Sequence, residues 1–125
     1  MGFESIIISM TPSNLYKKRC VPCEGGMPPL TPAKIDELLK EVKGWKVIEN
    51  KKIEKKFTFI DFKSALGFIN EVGDIAEFEG HHPDLNLHNW NKVTITLSTH
   101  AVKGLSENDF ILAAKIDRVI LDQEK

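Results

Sequence analysis

The run Val93-Thr-Ile-Thr-Leu-Ser98 alternates apolar and hydroxyl side chains without a break. Successive side chains of a strand point to opposite faces, so this pattern predicts a strand with one face in a core and the other wet. The apolar face needs a cover. Upstream, Ala65, Leu66, Ile69, Val72, Ile75 and Ala76 recur at the period of a helix that can supply it. Asp61 is placed to cap that helix, Gly80 to end it in a left-handed turn, and Pro83 forbids its continuation. Gly67 and Gly73 lower its propensity and are expected to let a neighbour pack closely.

The other elements fall around this pair. Thr31-Pro32 reads as an N-cap with proline at the first helical position. Ile35, Leu38, Leu39 and Val42 follow at helical spacing, predicting a helix over 32–43 with Gly44 as its stop. Trp45 to Ile48 reads as a strand, 49–52 as a turn, and Ile53 to Phe59 as a second strand whose apolar face Lys55 interrupts. Leu85 to Asn89 pairs with the strand from Val93 through a turn at Asn91-Lys92. Ser106 is a good N-cap, and Phe110, Ala113, Ala114, Asp117, Ile120 and Leu121 predict a last helix over 107–121. The order α-β-β-α-β-β-α predicts a single α+β domain: one four-stranded antiparallel sheet with helices packed on one face.

At 125 residues the chain can bury a core without disulfides. A net charge of -1 gives no footprint for nucleic acid. Ile6-Ile7-Ile8 is too short to span a membrane and lacks the basic flank of a signal peptide. A cytoplasmic protein is expected. Residues 1–29 read as an N-terminal extension, partly disordered, with no period up to about residue 15. Within it, Cys20-Val-Pro-Cys23 lacks a second cysteine pair and runs into Gly25-Gly26-Met27-Pro28-Pro29. It reads as a loop with two reduced thiols; a zinc half-site shared between subunits is the alternative.

Chemistry concentrates in Glu77-Phe-Glu-Gly-His81-His82-Pro83-Asp84, answered by Trp90, His100 and Asp109. Imidazoles give and take protons near neutral pH, so three in one pocket can serve as acid, base and substrate anchor. His81 and His82 leave a helix end as neighbours, so they diverge and do different jobs. Glu77 lies one turn back and can orient an imidazole. Asp109 has a structural use at the start of the last helix, reaching back to the Ser106 cap. His88 reads as incidental, and Trp90 as core or as the wall for a flat ligand. Each histidine also has a plainer reading as a surface or satisfied core residue. Metal catalysis ranks lower, because the helical i, i+4 histidine pair is absent and adjacent histidines chelate poorly.

The spacing from Glu77 through His81-His82-Pro83, Trp90 and His100 to Asp109 resembles the signature of the pterin-4a-carbinolamine dehydratases. Asn91 to His100, Gly104-Leu-Ser-Glu-Asn-Asp109, Phe57 to Phe62 and Gly67-Phe-Ile are similar to that family too, so the likeness spans about residues 30–121. The resemblance implies a dehydratase-like domain over 30–125 with the same fold. It implies a hydro-lyase that converts 4a-hydroxytetrahydropterin to the quinonoid dihydropterin and recycles the pterin of aromatic amino acid hydroxylases. By resemblance, His81, His82 and His100 are catalytic. His81 and His100 act as acid–base groups, and His82 mainly positions the pterin. Pro83 and the backbone of Ser98 and Thr99 meet the substrate, with Glu77, Trp90 and Asp109 supporting. No metal or cofactor is implied, and a homodimer or homotetramer is expected, with the exposed part of the 61–79 helix as its interface. The alternative is a non-catalytic dimerisation or transcriptional-coactivator protein of the same fold.

Overall fold

The computed structural model describes residues 14–22 and 25–123. Its elements are α1 (Pro32–Leu39), β1 (Lys46–Ile48), β2 (Lys52–Thr58), α2 (Phe62–Glu79), β3 (Asp84–His88), β4 (Lys92–Leu97) and α3 (Glu107–Gln123). Short 3-10 turns occur at Asn14–Lys17 and His100–Val102. The strands form one antiparallel sheet in the order β1-β2-β4-β3, the expected α+β arrangement. The two hairpins meet along β2 and β4, where Ile53 faces Leu97 and Phe57 faces Val93. These residues and Ile95 pack with Phe68 and Val72 of α2 and Phe110 and Ile116 of α3 in one core. Burying a side chain of that size contributes about 1.5–3 kcal/mol. Thr94 and Thr96 stay half-buried on the opposite face, where the Thr96 hydroxyl donates to Glu54 at 3.0 Å.

Lys55 interrupts the inward face of β2 and is answered by Asp117 on α3. Its Nζ lies 2.9 Å from Asp117 Oδ1 and donates to the Lys43 carbonyl at 2.7 Å. Trp45 Nε1 donates to the same carboxylate. Burial pushes the Asp117 carboxyl above its ordinary range, against the pull of Lys55 and Trp45. Two polar exceptions on two apolar faces thus satisfy each other.

Four expectations are corrected. The first helix ends at Leu39, not 43, because Glu41 and Val42 donate three residues back, to Leu38 and Leu39, in a tighter turn. Val42 is still buried, so the apolar spacing holds while the helix does not. The second hairpin turns over residues 89–91, not at Asn91-Lys92. Asn89 and Trp90 have positive φ (47° and 56°), and Lys92 already pairs with His88, which leaves three residues in the loop. Gly67 and Gly73 have no close neighbour among the described residues, where a Cβ at either would meet nothing within 4 Å. The aperiodic start gives way to structure by residue 14: Leu15 is buried in the core, Lys115 Nζ donates to the Tyr16 carbonyl at 2.7 Å, and the Arg118 guanidinium stacks 4.4 Å from the Tyr16 ring. The expectations for residues 1–13 and for Cys23 lie outside the described residues. Among the described residues no helix is long and apolar enough to cross a membrane.

Candidate active site

The site begins where α2 ends. Gly80 takes φ 68°, and its N–H and that of His81 both donate to the Ala76 carbonyl, at 2.9 and 3.2 Å. This closes the helix and turns His81, His82 and Pro83 toward β3. Asp84 at the head of β3 pairs with Thr96, so residues 81–83 run alongside the end of β4 and the segment that follows it.

His81 is largely buried, and its Nε2 lies 2.6 Å from Asp109 Oδ1. Asp109 is wholly buried in the first turn of α3. Its Oδ2 accepts from the Thr99 hydroxyl at 2.8 Å and from the Ser106 N–H at 3.0 Å. The second bond is half of a capping box. The Ser106 hydroxyl, instead of completing it, lies 2.8 Å from Thr99 Oγ1. Thr99 has one hydroxyl proton and gives it to Asp109, so Ser106 is the donor of that pair. As a carboxylate Asp109 only accepts. His81 Nε2 is therefore the donor of that bond, and Nδ1 takes no part in it.

His82 turns the other way, as neighbouring residues do at a helix exit. Its Nε2 lies 2.6 Å from Glu77 Oε2, but both side chains are exposed and solvent screens the pair. Pro83 and Ser98 are half-buried. His100 is exposed at the start of its 3-10 turn, one residue after Thr99. Thr99 N–H donates to the Gly104 carbonyl at 2.8 Å, and its own carbonyl accepts from Val102 and Gly104. The Thr99 amide is thus already engaged within the loop.

One network joins His81, Asp109, Thr99 and Ser106, with Ser98 and His100 flanking Thr99 in the chain. Glu77 serves His82. Trp90 is not brought in: it is exposed in the β3–β4 turn, at the end of the hairpin remote from His81, and β3 alone separates them by about 13 Å. His88 is spent within the same hairpin on Thr94 Oγ1 at 2.9 Å. A groove of about 400 Å³ opens elsewhere, lined by Tyr16, Ile75, Phe78, Glu79, Lys115 and Arg118 among others, and none of the three histidines lines it. Among the described residues no three His, Cys, Asp or Glu side chains are grouped to hold a metal ion. The hydroxyls of Thr99 and Ser106 are the members that sequence reasoning missed; the one available signal was the three-residue step from Ser106 to Asp109.

Residues 28–119 match the family model described as pterin 4 alpha carbinolamine dehydratase. The chain belongs to this family. A family member from Rubrobacter xylanophilus is 43% identical over 107 residues, which cover 86% of this chain and 99% of that one. Another, from Rickettsia canadensis, is 49% identical over 107 residues, covering 85% and 97%. Both are provisionally named pterin-4-alpha-carbinolamine dehydratase, a hydro-lyase activity. A crystal structure of a transcriptional coactivator/pterin dehydratase from Brucella melitensis matches with a TM-score of 0.69 and 33% identity, over 73% of this chain and 97% of that one. A pterin dehydratase-like protein described as a RuBisCO assembly factor shares the fold, with a TM-score of 0.52 and 23% identity over 61% and 88% of the two chains.

Proposed function

We propose that this protein is a hydro-lyase that dehydrates 4a-hydroxytetrahydropterin to the quinonoid dihydropterin by histidine acid–base chemistry, with no metal or cofactor. The observation that carries the reading is the His81–Asp109–Thr99 network, found in a chain of this family. In the reaction the C4a–O bond breaks as the oxygen receives a proton and leaves as water. N5 gives up its proton, and its electrons form the new bond to C4a. His81, with Nε2 committed to Asp109, has Nδ1 to exchange a proton with substrate. His100, next to Thr99, is the second acid–base group. Each positioned imidazole contributes about 10²–10⁴-fold, or roughly 3–5 kcal/mol of barrier. His82, tethered to Glu77, positions the pterin with Pro83. The Ser98 backbone pairs the pterin edge, while Thr99 acts through its hydroxyl on Asp109 rather than through its engaged amide.

The reading extends to a cytoplasmic role in tetrahydropterin recycling beside an aromatic amino acid hydroxylase. It includes a homodimer or homotetramer formed through the outer face of α2, where Phe62 and Leu66 are exposed. The same exposed face, together with the coactivator description of the Brucella melitensis relative, favours the second reading, a non-catalytic dimerisation or coactivator protein. Activity and oligomeric state measured on wild type, His81→Ala and His100→Ala separate the two. The enzyme reading expects both variants to lose activity with assembly unchanged. Activity that survives both substitutions overturns it.

A further inference from the structure

Three segments carry the His81 network: the exit of α2, the 98–106 loop and the first turn of α3. The N-terminal stretch, most of it outside the matched family segment, grips all three. At the exit of α2, Glu79 is buried, and its Oε1 accepts from the Cys20 N–H at 2.8 Å and Arg19 Nε at 3.3 Å. Its Oε2 lies 3.3 Å from Lys115 Nζ on α3. Burial works to raise the Glu79 carboxyl, but the Cys20 N–H, Lys115 and Arg19 outweigh it and hold the group below its ordinary range. At the start of α3, Asn108 clamps one residue with two bonds, accepting from the Val21 N–H at 3.0 Å and donating to the Val21 carbonyl at 2.6 Å. At the loop, Leu30 N–H donates to the Leu105 carbonyl at 2.9 Å. Pro29 sits so close to Gly104 that a Cβ there would lie 2.8 Å from it.

Glu79 is two residues before His81, and Asn108 is one before Asp109. We propose that residues 14–22, with Pro29 and Leu30, form a strap that fixes His81, Asp109 and the 98–106 loop relative to one another, with Glu79 and Asn108 as positioning residues for the dehydration. The kinetic part rests on the proposed dehydratase function; the geometric part does not. Helix ends open most readily, and the His81–Asp109 pair joins two of them. A displacement of about 1 Å can cost on the order of 10²-fold in rate, so a device that pins both ends acts on turnover. Two of the Glu79 partners, Arg19 and Cys20, come from the strap. Releasing it leaves a buried carboxylate underpaired, which couples strap docking to the helix end.

The test compares Asn108→Ala and Glu79→Gln with Lys34→Ala, which removes an exposed ion pair to Glu37 within α1. The readouts are kcat and KM for 4a-hydroxytetrahydropterin, the side-chain NMR signals of His81, and alkylation of Cys20 in a Cys23→Ser background. Cys20 is half-buried with its thiol pushed up to about 12, chiefly by burial and next by Glu79, so it reacts slowly while the strap is docked. Asn108→Ala and Glu79→Gln are expected to speed alkylation, shift the His81 signals and lower kcat about tenfold with KM changed less than about twofold. Lys34→Ala is expected to match wild type. Faster alkylation with His81 signals and kcat unchanged overturns the proposal. If Asn108→Ala does not fold, Asn108→Asp, which keeps the acceptor for the Val21 N–H and loses the donor, is read in the same way. If wild type shows no dehydratase activity, the proposed function fails alone, and the His81 signals still decide the strap.

Discussion

His81 Nε2 and Asp109 Oδ1 lie 2.6 Å apart across 28 residues of chain, and the carboxylate end of the pair is shut off from solvent. The other carboxylate oxygen is held by Thr99 and Ser106, so the imidazole is oriented by a group that is itself fixed. An imidazole oriented through one nitrogen leaves the other for proton transfer.

Asp109→Asn tests that orientation. The amide can donate toward His81 and invert which ring nitrogen carries the proton. We expect kcat to fall by about 10²-fold or more, in line with the loss of one positioned acid–base group. Asp109→Ala strands the Thr99 hydroxyl and the Ser106 N–H and should also cost about 1–3 kcal/mol in urea unfolding. Equal activity of wild type and Asp109→Asn contradicts the assignment.

Asp117→Ala probes the buried answer to Lys55. It leaves Lys55 Nζ and Trp45 Nε1 without their shared acceptor. The expected loss is about 1–3 kcal/mol, read as a lower urea midpoint with kcat unchanged. A midpoint equal to wild type would show the pair to be dispensable.

Gly67→Ala should act in the opposite direction. A Cβ meets nothing within 4 Å, and alanine favours helix over glycine by about 0.5–1 kcal/mol. The thermal midpoint should rise with activity intact. A fall would mean that the outer face of α2 is packed against a second chain.

The Glu79 carboxyl, held below its ordinary 4.5 in the folded protein, gives a pH signature. A depressed carboxyl contributes stability that is fully present above 4.5 and is lost as pH falls through the folded value. The stability gap between wild type and Glu79→Gln should therefore be constant near neutral pH and shrink below 4.5. Urea unfolding at several pH values measures it; a gap that widens on acidification has the wrong sign for this carboxylate.

The sheet and its cover were legible because alternation at Val93–Ser98 and helical spacing at Ala65–Ala76 are local patterns, each confirmed by a single element. The turn over residues 89–91 was not, because Trp90 takes a positive φ, a conformation in which turns recruit glycine or asparagine. Lys55 looked like a defect because its explanation, Asp117, lies 62 residues away. The His81–Asp109 pairing was half visible. Asp109 could be assigned to the cap from its step after Ser106, but its second oxygen serves a residue on another helix end, which no local spacing encodes. The strap was least legible. Much of its docking rests on backbone groups of Cys20 and Val21, which no local spacing ties to Glu79 or Asn108.

The most direct measurement is the rate at which 4a-hydroxytetrahydropterin disappears, followed by ultraviolet absorbance with and without wild-type protein and with chelator added. The account predicts an acceleration over the uncatalysed dehydration that chelator leaves unchanged. No acceleration by folded protein would contradict the dehydratase function, and an acceleration abolished by chelator would contradict metal-free histidine catalysis.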